Sequence, residues 1–264
     1  MEKIKLLSLV VPVYKQEKTI VEDIKNLDKV LSSFSFKHEI IVVVDGFLDK
    51  TYDLLQDLRS KILKDPRSKI KDLRIIGYEK NQGKGYAVRC GVLEARGDVI
   101  GFIDGGMDLD PSEISVALDL MEWNKADIIV GSKLHPESKV NYPLSRKILS
   151  WGYRNLTHFL FGFNVRDTQV GFKFFKRKVA KDVFSRIIVK KFAFDVEVLT
   201  VAYSLGYKKI YEAPVKLTFN WGSSIASFTS IGFWNTIFSM LYDTAAVFYR
   251  LKILHYYDKN RNSY

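Results

Sequence analysis

Residues 99–111 read VIGFIDGGMDLDP. The apolar run Val99 to Ile103 stops abruptly at Asp104, a glycine pair (Gly105, Gly106) follows, and two more carboxylates stand at Asp108 and Asp110. This pattern predicts a buried strand with an acid at its carboxyl tip, which is where open α/β sheets bind ligands. Carboxylates in a glycine-rich turn offer oxygen ligands to a hard divalent cation. The plainer alternative is a polar loop that caps the next helix, with Asp110 or Ser112 as its N-cap.

Working outward, the same strand-then-polar-tip arrangement recurs. Leu7 to Val13 reads as a strand, followed by Tyr14 and Glu17 and then a helical pattern from Glu17 to Phe34. Glu39 to Val44 is a nearly continuous apolar run, typical of a strand buried on both faces, and it ends at Asp45. A helix is expected over Thr51 to Leu63, a strand over Leu73 to Tyr78, the turn EKNQGKG over 79–85, and a helix over Tyr86 to Ala95. After the central strand come a helix from Ser112 to Trp123 and a strand from Asp127 to Val130. Alternating strand and helix predicts a doubly wound, mostly parallel sheet. The carboxyl tips of parallel strands share one edge, so Tyr14, Asp45, Lys84 and Asp104 converge on one site. There Asp45 and the backbone near Tyr14 suit a base and ribose, and Lys84, between two glycines, suits a phosphate. Taken alone, Gly83 and Gly85 also read as an ordinary turn and Lys84 as a solvated lysine.

The second half reads differently. Pro143 to Phe161 is helical, with aromatics and leucines among Arg146, Lys147 and Arg154. Val165 to Phe175 reads as a loop running into a short strand; helices are expected over Lys178 to Ile187 and Asp195 to Leu205, and a strand over Tyr207 to Tyr211. Asp195 and Glu197, set among apolar neighbours, read as buried acids at a helix start. Ser227 to Leu254 is rich in aromatics and ends in basic residues, which suits a helix lying in a lipid headgroup region or one packed on the domain or in a dimer.

The chain has 264 residues, 47% hydrophobic and 27% charged, enough for a sizeable globular core. Its formal net charge of +11 favours anionic partners, either nucleotides, lipid phosphates or an anionic membrane surface. The basic residues are scattered and carry no nucleic-acid motif, so no nucleic acid is expected. One cysteine, Cys90, excludes an internal disulfide, and the four histidines show no zinc spacing. The N-terminal apolar stretch is too short for a signal peptide, and no apolar run reaches the roughly 18 residues of a spanning helix. A protein kept in the cytoplasm, peripheral to the cytoplasmic face of a membrane, is expected.

The stretches VVPVYKQE (10–17), IIVVVDGFLDKT (40–51), NQGKGYAVRCG (81–91) and FIDGGMDLDP (102–111), in this order, resemble the family-2 glycosyltransferases of GT-A fold. GSK (131–133), VRDTQVGFKFFKR (165–177) and FAFDVEVL (192–199) narrow the resemblance to the polyprenyl-phosphate sugar synthases. Among these, DTQVGFKFF is closer to the dolichyl-phosphate glucose synthases than to the mannose synthases, as are Asn220 and Trp221 where many mannose synthases carry an arginine. The resemblance implies a catalytic domain over 1–222 and an amphipathic segment over 223–264, interfacial or dimer-forming. It implies Pro12, Tyr14, Glu17 and Asp45 as nucleotide contacts, and Asp104 as the first acid of a D-x-D motif holding Mg2+ or Mn2+. Gly106 stands where the second acid belongs, so Asp108 is the expected partner ligand, with Asp110 in reserve. Lys133, Arg146 and Ser150 are implied to cradle an acceptor lipid phosphate, and Asp167 and Gln169 to close over the sugar. The implied reaction is inverting transfer of a hexose from a nucleotide sugar, UDP-glucose or GDP-mannose, to a polyprenyl or dolichyl phosphate at a membrane surface. Two other readings share the fold: transfer to a glycan or protein hydroxyl with Asp167 as base, and a catalytically silent binding protein. A homo-oligomer stays open.

Overall fold

The structure, a computed structural model, describes residues 4–64, 72–106, 110–140, 144–163, 165–191, 193–217 and 231–259. The first half runs β1 (Leu6–Val13), α1 (Ile20–Leu31), β2 (Lys37–Asp45), α2 (Thr51–Lys64), β3 (Leu73–Tyr78), α3 (Lys84–Glu94), β4 (Val99–Ile103), α4 (Glu113–Trp123) and β5 (Ile128–Ser132). There follow β6 (Lys139–Val140), α5 (Leu144–Phe161), β7 (Phe172–Lys176), α6 (Arg177–Phe184), α7 (Phe194–Ser204), β8 (Ile210–Pro214), β9 (Lys216–Leu217), α8 (Ile231–Lys252) and α9 (Tyr256–Lys259).

Seven strands form one sheet in the order β3-β2-β1-β4-β7-β5-β8, with a separate β6-β9 pair. All neighbours in the large sheet are parallel except β7, which runs antiparallel between β4 and β5. The expected α/β architecture is therefore present. The period-2 alternation of β1 explains its burial. Leu9, Val11 and Val13 pack under α1 and α4 with Ile20, Ile24 and Ile114, while Val10 packs on the other face with Ala87 and Val88 of α3. In α1, Ile20, Ile24, Leu27 and Leu31 make the single buried stripe expected of an amphipathic helix.

Element ends differ from the sequence pattern where turn chemistry decides them. α1 begins at Ile20 rather than Glu17, because residues 16–19 form a turn in which the Thr19 and Ile20 amides donate to Gln16 O. β8 begins later than Tyr207 because Gly206, at φ +92°, takes the chain out of α7 through a bond from Tyr207 N to Ala202 O. No helix among the described residues is long and apolar enough to cross a membrane.

Candidate active site

The tips of β1, β2 and β4 and the β3–α3 turn open on one cleft of about 740 Å³. Its walls include Pro12 near the end of β1 with Tyr14 and Gln16 beyond it, Asp45 at the end of β2, Asn81 to Gly83 before α3 with Lys84 at its first position, and Asp104 and Gly105 after β4. The cleft is closed from the far side by Lys191 and Ala193 ahead of α7, and by Asn235, Thr236, Ser239, Met240 and Asp243 of α8.

Asp104 and Lys84 form its charged centre. Lys84 Nζ lies 2.6 Å from Asp104 Oδ1, and the Asp104 amide donates to Gly171 O at 2.9 Å, which fixes the β4 tip against β7. Burial pulls the Lys84 ammonium down, but Asp104 and then Asp195 outweigh it and hold the pKa above the ordinary lysine value. A second pair lies behind the first: Lys173 Nζ donates to Asp195 Oδ1 and, at 2.7 Å, to Val170 O. Both residues are buried, and burial pushes Lys173 down and Asp195 up despite their mutual attraction. The alternation of Asp104, Lys84, Asp195 and Lys173 keeps a set of charges balanced in a largely dry region, where any one left alone would be costly.

The glycine at 106 has a backbone reason. Its φ is +99°, a conformation L side chains rarely adopt, and its neighbour Gly105 approaches Gln16 so closely that an added Cβ would lie 2.6 Å from Gln16 Oε1. That Gln16 oxygen is buried and has no hydrogen-bond partner among the described residues. Asp108 lies outside the described residues. Asp110 accepts from Ser112 N at 2.9 Å and its carbonyl from Glu113 N, so it shapes the turn into α4; Ser112 occupies the N-cap without a side-chain cap bond. Among the described residues no group of three or more His, Cys, Asp or Glu could hold a metal. The oxygens present do suit a hard cation that arrives with its substrate, since Mg2+ commonly takes one or two carboxylates, waters and the substrate's own phosphates. Asp104 and the orphaned Gln16 oxygen are oxygens of that kind.

The remaining sequence candidates fall in different places. Asp45 lines the cleft, but its carboxylate accepts from Tyr78 OH, Asn81 Nδ2, Gln82 N and Gly83 N at 2.7–3.2 Å, so it clamps the β3–α3 turn. It also pushes the Tyr78 phenol pKa strongly upward, after burial. Pro12 and the half-exposed Tyr14 line the cleft; Glu17 does not, and instead accepts from Lys50 N at 3.1 Å to tie down the loop after β2. Asp167, Lys133 and Gln169 meet at the adjoining tips of β5 and β7. Asp167 Oδ2 accepts from Lys133 N at 3.1 Å and stands 3.4 Å from its ammonium, while Oδ1 accepts from Gln169 N in a tight turn. Gln169 Nε2 reaches Met240 Sδ of α8 at 3.3 Å, joining this group to the cleft wall. Ser150 lies half-buried on α5. The side chain of Arg146, and Asn220 and Trp221, lie outside the described residues, as does the junction at 222–223.

Sequence reading missed Gln16, Lys191, the Lys173–Asp195 pair and the α8 wall. Gln16 was legible as the polar neighbour of Tyr14. Asn235, Ser239 and Asp243 were legible as a polar stripe spaced by four within the aromatic tail. The partner of Lys173 depends on long-range packing and carries no local signal.

Comparison with known proteins places this geometry. The model of "Glycosyl transferase family 2" matches residues 8–184. A human dolichyl-phosphate beta-glucosyltransferase is 34% identical over 247 residues, covering 88% of this chain and 71% of the relative. The Drosophila melanogaster dolichyl-phosphate beta-glucosyltransferase is 33% identical, covering 85% and 70%. Among solved structures, glucosyl-3-phosphoglycerate synthase from Mycobacterium tuberculosis, in complex with Mn2+, UDP and glucosyl-3-phosphoglycerate, shares the fold. Its TM-score is 0.64 at 16% identity, over 93% of this chain and 79% of that one. Mannosyl-3-phosphoglycerate synthase from Rubrobacter xylanophilus gives 0.64 at 15% identity, over 95% and 75%. The family match takes in the strands that meet at Asp104 and Lys84 and more than half of the sequence, so the chain belongs to the family-2 glycosyl transferases, enzymes of GT-A fold.

Proposed function

We propose that this glycosyltransferase moves glucose from UDP-glucose to a dolichyl or other polyprenyl phosphate, with inversion, at a membrane surface. The observation that carries it is the Lys84–Asp104 centre at the meeting point of four strand tips, flanked at the next tips by Lys133 and Asp167. Relatives named for dolichyl-phosphate glucosyl transfer support the acceptor and the sugar. Neighbours of the same fold crystallised with Mn2+ and UDP-glucose support the donor and a divalent cation.

A lipid phosphate is already anionic at neutral pH, so its oxygen attacks the anomeric carbon without a base. As that C–O bond forms, the bond from the anomeric carbon to the diphosphate oxygen breaks and UDP leaves with the electron pair. The protein's task is to hold two anions in line and stabilise charge on the departing one. Lys84 faces the diphosphate from the first turn of α3. Lys133, fixed by Asp167, receives the acceptor phosphate with Ser150 and Arg146. Asp104, joined by Gln16 and Asp108, would hold Mg2+ or Mn2+, which when bound supplies Lewis-acid neutralisation of the leaving diphosphate. Exposed aromatics on α5 and α8, Trp151, Phe159, Phe238 and Tyr242, together with the +11 charge, fit an anionic bilayer.

The test is a transfer assay with purified protein, dolichyl phosphate micelles, Mn2+ or Mg2+, and radiolabelled UDP-glucose or GDP-mannose. Glucosyl lipid is expected from UDP-glucose, abolished by EDTA and restored by Mn2+. Transfer from GDP-mannose alone overturns the donor, and transfer that survives EDTA overturns the cation.

A further inference from the structure

α8 divides its side chains between solvent, core and cleft. Trp234, Phe238 and Tyr242 are 50%, 65% and 76% exposed, and Val247, with Met240, Phe248 and Leu251, packs on the core. Asn235, Ser239 and Asp243, spaced by four and so stacked on one face, line the cleft together with Met240. Three polar side chains of this helix thus stand on the cleft wall. The family model ends at residue 184, well short of this helix.

The other walls assign the space by chemistry. Pro12, Tyr14, Asp45 and Asn81 crowd the end formed by β1 to β3, a surface for a flat base and ribose. Lys84 and Asp104 occupy the middle, where charge belongs to a diphosphate. The hexose must extend beyond the diphosphate toward the acceptor group at Asp167 and Lys133, and Gln169 bridges that group to Met240 of α8. The stripe thus faces the hexose with an amide, a hydroxyl and a carboxylate, which match a ring of alternating hydroxyl donors and acceptors. Burial raises the Asp243 carboxyl, with Lys191 and Arg250 opposing it, as fits a group turned into the cleft.

Resting on the proposed donor chemistry, we infer that Asn235, Ser239 and Asp243 are the sugar-reading wall of the cleft, and that Asp243 is a specificity-determining residue for the transferred hexose. A carboxylate placed on two sugar hydroxyls rejects epimers that misplace one of them, because one of its oxygens then loses its partner.

Calorimetric titration with UDP and with UDP-glucose in Mn2+ tests this. Wild type is expected to bind UDP-glucose more tightly than UDP. Asp243→Asn and Asp243→Ala are expected to lose about tenfold for UDP-glucose while binding UDP within twofold of wild type. Their preference for UDP-glucose over UDP-galactose in kcat/KM should fall in parallel. Variants that bind both ligands as wild type does overturn the inference and leave the donor reading standing. Variants that lose UDP as well overturn it too, since Asp243 would then serve the nucleotide or the packing of α8. A wild-type protein that binds neither ligand overturns the donor reading itself.

Discussion

Glu39 stands inside an apolar strand, EIIVVV, and is fully buried. Burial alone would raise its pKa, but hydrogen bonds from Ser8 Oγ, Arg96 N and the Arg96 guanidinium hold it below the ordinary value of 4.5. A carboxyl depressed in the folded state adds stability above its unfolded value and loses it as the pH falls through the folded one. Glu39→Gln should therefore melt about 3–6 °C below wild type at pH 7. The gap should narrow below about pH 4.5, as read by thermal melts across pH. In the cleft, Asp104→Asn and Lys84→Met are each expected to lower kcat by about 10²–10³ while leaving the fold intact. At this scale the sequence was informative about charge at strand tips: Lys84 and Asp104 do meet. It was uninformative about what satisfies each carboxylate. Asp45 looks like a ligand in DGFLDKT, yet its oxygens go to Tyr78, Asn81, Gln82 and Gly83, residues more than thirty positions away.

The strand β7 explains how an element controls a residue. A Cβ built on Gly171 would fall 2.0 Å from the Asp104 carboxyl carbon, so Gly171→Ala must push that side chain from its position beside Lys84. Activity is expected to drop at least as far as in Asp104→Asn, with little loss of melting temperature, because β7 keeps its pairing with β4 and β5. α8 depends on a different anchor. Glu197, in the first turn of α7, accepts from Ile188 N, Val189 N and Tyr257 OH at 2.6–3.0 Å, and Arg250 Nη1 lies 3.7 Å away. This one buried carboxylate ties α8 and α9 to the body. Glu197→Ala should speed proteolytic cleavage between α7 and α8, as followed by mass spectrometry; a rate equal to wild type would remove the anchor role. The strands were legible because Val99–Ile103 and Leu73–Tyr78 are short apolar runs closed by turn residues. The antiparallel sense of β7 was not legible, since strand direction follows from where the chain re-enters the sheet.

At the scale of the whole molecule, exposed apolar surface gathers on two helices. Trp151 and Phe159 on α5 and Phe238 and Tyr242 on α8 are all more than half exposed. Replacing Phe159 and Tyr242 with serine should lower sedimentation with anionic vesicles several-fold without changing UDP affinity, and binding should weaken as salt screens the basic charge. The α/β class followed directly from alternating patterns. The folding of the aromatic tail back over the cleft did not, because an amphipathic stripe does not say which of its faces meets the protein. In the proposed reaction, cations arranged around Asp104 and Lys84 let one phosphate displace another at a sugar carbon. Its most direct measurement is the chloroform-extractable glucosyl lipid made by purified protein from radiolabelled UDP-glucose, with dolichyl phosphate or dolichol as acceptor. Product is expected with the phosphate alone; equal transfer to the alcohol, or none to the phosphate, would overturn the proposed displacement.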